Sequence, residues 1–145
     1  MPLNNLSIGH DVTVTIYDNN GTGVLTFPAA TGFEADPIFK HVDSMPLNNY
    51  PIFAEAPAGW KGTIEYDRTN PTIDNYFAAL EASYYAGVNL LDATITETIQ
   101  ESSGSVSQYT FKGTALKLEK GGKWKANEKV PMTIAWTCST RLATL

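Results

Sequence analysis

The sequence predicts a mainly β domain with a single amphipathic helix, and three observations predict it. Several segments alternate apolar and polar residues with the period of two expected of half-buried strands, most clearly residues 11–17 and 60–68. Turn signals rich in asparagine and glycine separate such segments, notably Asn19, Asn20 and Gly21, and later Gly121 with Gly122. One stretch alone, TNPTIDNYFAALEASYYAG at residues 69–87, repeats its apolar residues at helical spacing and has both ends marked.

Taken in order, residues 1–9 carry Leu3, Leu6 and Ile8 with no evident place in a sheet, so they read as an arm that packs locally or reaches a neighbour. Residues 11–17 set Val12, Val14 and Ile16 against Asp11, Thr13 and Thr15. After the turn at Asn19, residues 24–27 return as a second hairpin arm that Pro28 halts. Residues 32–59 are harder to place. Pro37, Pro46, Pro51 and Pro57 interrupt any long strand there, yet Phe33, Ile38, Phe39, Val42, Leu47, Tyr50, Ile52 and Phe53 are unusually apolar for a loop in water. Residues 43–53 are therefore read as an interaction loop, with folding back onto its own domain as the equal alternative. The pentapeptide MPLNN, present at residues 1–5 and 45–49, has no companion repeat and is treated as coincidence.

Residues 60–68 place Trp60, Gly62, Ile64 and Tyr66 on one side and Lys61, Thr63, Glu65 and Asp67 on the other. The helix, residues 72–87, follows. Thr72 is its expected N-cap, Asp74 suits the positive end of the dipole, and Gly87 tolerates the left-handed conformation that ends it. Ile73, Tyr76, Phe77, Leu80 and Tyr84 form its apolar stripe, leaving Glu81, Ala82 and Tyr85 as candidates for contact with a neighbouring subunit or an enclosing partner. Residues 91–100 oppose Leu91, Ala93, Ile95 and Ile99 to a face of Asp92, Thr94, Thr96, Thr98 and Gln100, with Glu97 on the apolar side. In residues 106–118 the apolar phase changes from Tyr109 and Phe111 to Leu116 and Leu118 across Gly113, which indicates a bulge. Residues 130–138 form the last strand, with Val130, Met132, Ile134, Trp136 and Cys138 inward and Thr133, Ala135 and Thr137 outward.

Composition narrows the function. A length of 145 residues suits one domain, residues 1–145, able to bury roughly 70% of the surface its unfolded chain exposes. No apolar run approaches the ~20 residues of a membrane span, and no basic-then-apolar leader opens the chain. The expectation is a protein made and kept in a cytoplasm, or in something assembled there, with no membrane partner. Cys138, the one cysteine, excludes an internal disulfide and falls in a core phase. Up to Phe111, thirteen acidic residues stand against Lys40, Lys61 and Arg68, a local balance of −10. An acidic body argues against gripping nucleic acid through its phosphates. Lys112, Lys117, Lys120, Lys123, Lys125 and Lys129 then face only Glu119 and Glu128, which reads first as a solvated hairpin tip and second as a docking patch.

Chemistry is sparse. His10 and His41 stand apart without metal-ligand spacing, and Glu65 and Asp67 share a strand face with nothing beside them to split their pKa values. No nucleophile elbow, P-loop or dinucleotide fingerprint occurs, so no catalytic residue, cofactor or metal is assigned and the reading is not an enzyme. The threonine-rich faces, apolar arm and proline-broken loop fit a self-assembling structural protein or a β-sheet binding module.

The run GWKGTIEYDR at residues 59–68 with the helix after it, YTFKG at 109–113, GGKW at 121–124, and the terminal strand running into Ser139, Thr140 and Arg141 together resemble the tail tube protein of contractile-tailed bacteriophages. Type VI secretion and R-type pyocin tube proteins share that fold and stand as close alternatives. The resemblance implies a β-sandwich or half-barrel with one flanking helix, six copies of which close a ring with a continuous inner β-barrel. Rings stack into a hollow tube, a virion component assembled in the host cytoplasm, through which the genome is delivered. Implied partners are further copies, the sheath protein, a tape measure protein in the lumen, baseplate and tail terminator proteins, and DNA in transit. Inter-ring stacking would fall to Leu3, Leu6, Ile8, Leu47, Tyr50, Ile52 and Phe53. Candidates to line the lumen are Glu65, Asp67, Asp92, Thr94, Thr96 and Glu97, and Lys120, Lys123 and Lys125 are candidates to meet the sheath. A reading from another class is a monomeric β-sandwich that binds carbohydrate, with Trp60 and Trp124 as stacking platforms.

Overall fold

The computed structural model describes residues 4–6, 11–18, 23–26 and 30–144. Leu3, Ile8, His10, the turn at Asn19 to Gly21, and Phe27 with Pro28 lie outside them. Among the described residues the chain forms β1 (Val12–Asp18), β2 (Gly23–Thr26), β3 (Ala30–Ser44), β4 (Ile52–Asp67), helix α1 (Thr72–Tyr85), β5 (Ala93–Gln100), β6 (Val106–Lys120), β7 (Pro131–Cys138) and β8 (Thr140–Ala143). The strands pair antiparallel in the order β2-β1-β5-β6-β7-β4-β3, with β8 against β6. No helix among the described residues is long and apolar enough to cross a membrane.

Strand β6 belongs to two layers. Its first half pairs with β5 and, over Tyr109 to Lys112, with β8. Its second half, from Ala115, pairs with β7. Between them Gly113 adopts φ +68°, and the ladder slips between Ala93 and Ile95, which is the bulge expected from the phase change in the sequence. The return crossing lies beside it, where Ser139 separates β7 from β8 and donates from both its backbone N–H (3.1 Å) and its hydroxyl (3.0 Å) to the Lys112 carbonyl. One layer is thus β2-β1-β5-β6-β8 and the other β6-β7-β4-β3, an open sandwich hinged on this corner.

The core fills the space between the layers. Ile16, Leu25, Ile95 and Phe111 come from the first layer, and Ile64, Tyr66, Met132, Ile134 and Trp136 from the second. Cys138 is buried among them, as its phase predicts. Trp136 is central, 4.9 Å from the Phe111 ring centroid and stacked 5.7 Å from Phe33. It reaches Phe33 by lying across β4 at its register partner Gly62, where an added Cβ would come within 2.8 Å of the indole. The alternation read in residues 60–68 is therefore correct, and at its one missing side chain the Glu34 backbone carbonyl and the Trp136 ring both come too close for a Cβ.

Helix α1 departs from expectation at its start and in how far its apolar stripe is covered. Thr72 is its first residue and not its cap, because Asn70 Oδ1 accepts the Thr72 N–H at 3.0 Å from an Asx-type turn before the helix. Asp74 stands in the first turn as expected and also accepts from Arg68 Nε at 2.8 Å, tying the start of the helix to the end of β4. Ile73 and Tyr76 are buried, Phe77 and Leu80 half-buried, and Tyr84 is 65% exposed, so the apolar stripe is covered only along its first turns. The far end closes as expected, with Gly87 at φ +79° and paired bonds from Gly87 N to Tyr84 O and Val88 N to Ser83 O. Leu91, expected inside a strand, precedes β5 and is exposed.

The largest difference is at residues 32–59. The prolines do not break the chain into a loop; β3 and β4 form one long hairpin around a short tip. Pro37 falls where the register shifts between Pro37 and Phe39, and Pro57 faces Phe39 beyond the reach of β7, which pairs with β4 only from Trp60 onward. A proline beside a free edge or a bulge removes little ladder bonding, so four of them are compatible with extended strands and turn.

The corner supplies a stability test. Gly113→Ala places a side chain against the Ser139 hydroxyl at positive φ and is expected to cost about 2 kcal/mol, whereas Gly121→Ala meets nothing within 4 Å and should stay within about 0.5 kcal/mol of the parent. Denaturant unfolding of both variants reads the difference, and equal midpoints would remove the corner from the account.

Candidate assembly surface

The β3–β4 hairpin has two halves of different character. Near the body, Phe33 and Ile64 face the core; beyond Pro37, among the described residues, no second layer covers either face. Phe39, Val42, Met45, Ile52 and Phe53 are all about half to two-thirds exposed there, Tyr50 is 75% exposed, and Leu47 at the tip is fully so. Residues 38–57 nevertheless stay ordered by cross-strand pairing, including His41 Nδ1 to Glu55 Oε1 at 2.6 Å, with Asp43 at 3.9 Å from the other ring nitrogen and Phe53 stacked on the imidazole at 6.0 Å. The tip turns through Asn49 at φ +67°, whose N–H meets the Pro46 carbonyl at 3.1 Å. The hairpin is thus a stiff arm on the order of 25 Å long with apolar groups on both sides. An exposed apolar surface of this extent marks an interaction site.

Of the residues expected at inter-ring contacts, Leu47, Tyr50, Ile52 and Phe53 are brought together on this arm, and Leu6 is exposed elsewhere. Leu3 and Ile8 lie outside the described residues. Sequence reading missed Met45 as a fifth member and did not assign Phe39 and Val42 to the contact. The signal for the last two was available, since both continue the apolar run past Pro37.

The expected lumen residues do not share one surface. Glu65 and Asp67 stand on the outer side of β4, with Lys129 Nζ 3.7 Å from Asp67. Thr94 and Thr96 alternate with buried Ala93 and Ile95 and so face outward from the other layer, and Asp92 is exposed just before β5. Glu97 points the opposite way, into the core side, where it is 9% exposed with Arg141 Nη2 3.8 Å away. The Arg141 guanidinium lies 3.8 Å over the Tyr109 ring and 4.8 Å from that of Trp60. Burial holds the Glu97 carboxyl above the usual carboxylate range and Arg141 opposes that shift. Burial likewise pushes the Tyr66 phenol up to about 12, with Asp74 adding and Arg68 subtracting, and raises the Cys138 thiol. A buried, poorly ionised thiol is a packing group and not a nucleophile.

Lys120, Lys123 and Lys129 stand with Glu65, Asp67 and Gly122 around an open hollow of about 530 Å³ on the outer side of the second layer. Lys125 lies further along the same connection. The two tryptophans offered as a carbohydrate platform serve separate purposes: Trp60 packs edge-on to Phe111 at 5.9 Å, while exposed Trp124 carries the Arg68 guanidinium 5.4 Å above its ring. Among the described residues no group of three or more His, Cys, Asp or Glu is placed to hold a metal ion.

No family model matches the sequence, and no curated protein is similar to it. The fold is matched by solved structures. A chain of the anti-feeding prophage cap, the tube-terminating cap, superposes with TM-score 0.64 at 10% identity over 99% of this chain and 94% of that one. The SPP1 tail tube gives 0.59 at 12% identity, covering 94% and 78%. The tail of an empty gene transfer agent particle, with C6 symmetry, gives 0.55 at 9% identity, covering 95% and 98%. This chain therefore has the tail-tube-type fold.

The buried pair makes a prediction with a definite sign. Because the folded Glu97 pKa lies above its unfolded value, its contribution to stability is full below about 4.5 and is lost as pH rises through the folded pKa. Glu97→Gln removes that loss, so the stability difference between variant and parent should move in favour of the variant as pH climbs from 4 to 7. Arg141→Met at pH 7 should cost about 2 kcal/mol, most of it recovered when Glu97→Gln is added. Additive costs in the double variant would show that the two side chains do not interact.

Proposed function

We propose that this chain is a structural subunit of a tail tube. Six copies close a ring, and rings stack into a hollow conduit inside a contractile sheath. The observation that carries the reading is the long apolar hairpin arm on a fold of the tail-tube type, since exposing that much apolar surface to water is costly and marks a surface that a partner covers. Ring closure gives the free edges at β2 and β3 a partner and ends the sheet's capacity for nonspecific pairing. A head-to-tail contact with closing rotation makes a finite ring, and the C6 symmetry of one structural neighbour supports six as the number. Stacking stays open-ended, which is the role assigned to Leu6, Leu47, Tyr50, Ile52 and Phe53, with Leu3 and Ile8 of the arm.

The rest of the assignment follows from tube geometry. A lumen that passes DNA must not hold it, and outward threonines with scattered carboxylates such as Glu65, Asp67 and Asp92 suit that passage. Glu97 is reserved for the interior pair with Arg141. Because Thr94 and Thr96 face away from Glu65 and Asp67 across the sandwich, only one of these sets can line the lumen. Lys120, Lys123 and Lys125 are assigned to the sheath, and baseplate, terminator and tape measure proteins complete the set of partners in a virion tail. Type VI secretion and pyocin tubes use the same construction. No step in this role calls for catalysis.

Tyr50→Ser with Phe53→Ser should leave the melting temperature unchanged, because neither ring is buried in the protomer, yet negative-stain microscopy should show rings or monomers where the parent makes tubes. Tubes of normal length from that variant would sink the assignment. Charge reversal of Lys123 and Lys125 should spare tube formation and weaken sheath assembly on preformed tubes, and unchanged sheath assembly counts against their role.

A further inference from the structure

Besides the distal hairpin, a second cluster of apolar side chains is exposed among the described residues. It lies at the end of α1, where Tyr84 and Tyr85 are 65% and 78% exposed and Val88, Leu90 and Leu91 are each about half exposed. The two tyrosine rings meet edge-on at 5.4 Å and form a ledge. Next to Leu90 and Leu91, Tyr76, Leu80 and Leu116 line a shallow hollow of about 270 Å³ that Asp92 and Thr114 also border. The helix stripe predicted from sequence runs out onto this ledge, which is why Tyr84 belongs to the apolar phase and is still exposed.

We propose that the tyrosine ledge and its hollow receive the distal β3–β4 hairpin of a second copy. The inference rests on the tube reading and supplies the receiving surface that the reading lacks. Both surfaces are exposed in one molecule, so neither covers the other within a single copy. They differ in shape, a projecting arm against a hollow, and a contact between unlike surfaces repeats from copy to copy as an open-ended stack requires. The area is adequate: seven large apolar side chains at about half exposure or more present roughly 700 Å² on the arm, close to the ~800 Å² per partner of a stable interface.

Charge agrees with the pairing. The last turn of α1 carries no basic residue, and no lysine or arginine occurs from residue 69 to residue 111, so the negative end of the helix dipole and Glu81 stand without a cation from that segment. On the arm, Asp43 and Glu55 both lie against His41, while Lys40 stands exposed on the same arm. Docking sets Lys40 against the acidic end of α1 and leaves the arm's carboxylates with their own histidine.

Tyr85→Glu with Leu91→Glu tests the proposal, both positions being exposed. Polymer pelleted by centrifugation should fall at least tenfold while single rings persist. Mixing this variant with the Tyr50→Ser, Phe53→Ser variant should restore paired rings but not long tubes, because only the intact arm of one and the intact ledge of the other can meet. Normal polymer from the ledge variant, or no pairing in the mixture, overturns the inference and leaves the tube reading standing. A parent protein that forms no rings or tubes overturns the reading itself.

Discussion

The structure depends on one crossing point. At Gly113 strand β6 leaves one layer for the other, and at Ser139 the β7–β8 strand makes the reverse crossing, bonded twice to the Lys112 carbonyl. Without both crossings the two layers would be separate sheets, and Phe111 and Trp136 could not be held 4.9 Å apart at their centre. The glycine is demanded by conformation and by space together, since φ is +68° and the Ser139 hydroxyl occupies the position of a side chain. The nearby Arg141 is held over Tyr109 and Trp60 beside the buried Glu97, so the corner also holds a partly buried ion pair.

From that corner outward, burial falls along the β3–β4 hairpin. The proximal half is covered by the sandwich and the distal half by nothing. A lone two-stranded ribbon is marginal in water, so the distal half borrows its order from the layered half with which it is continuous. The protomer is then an asymmetric object: a compact sandwich with an arm on one side and an apolar ledge at the end of its helix. Each exposes apolar surface at a cost, which is the thermodynamic basis of the proposed contact between copies.

Much of this was legible in the residues. Strands β1, β5, β7 and the proximal half of β4 were readable because each buries one face, so hydrophobicity alternates with the pleat. The bulge was readable from the slip between Phe111 and Leu116 around a glycine, and Gly87 marked the helix end correctly. The distal hairpin was not readable as strands, because apolar residues on both faces leave no alternation and prolines normally argue against extended pairing. The helix cap position is Pro71, one residue before the expected Thr72, and Asn70 accepts the Thr72 N–H, a capping role that residue type alone assigns equally well to Thr72. Glu97 was seen to break the polarity of its strand, but its partner Arg141 is remote in sequence, and pairing between remote charges has no local signature. The candidate contact residues at the tip are visible as excess hydrophobicity and Tyr85 lies off the helix stripe, whereas Tyr84 belongs to the core stripe by phase and is exposed only because the helix outruns its cover.

A cryo-electron microscopy reconstruction of the assembled particle bears most directly on the central claim that another copy covers the distal hairpin. The account predicts six-fold rings in which Leu47, Tyr50 and Phe53 are enclosed by the adjacent ring. A polymer in which those side chains face solvent would contradict it.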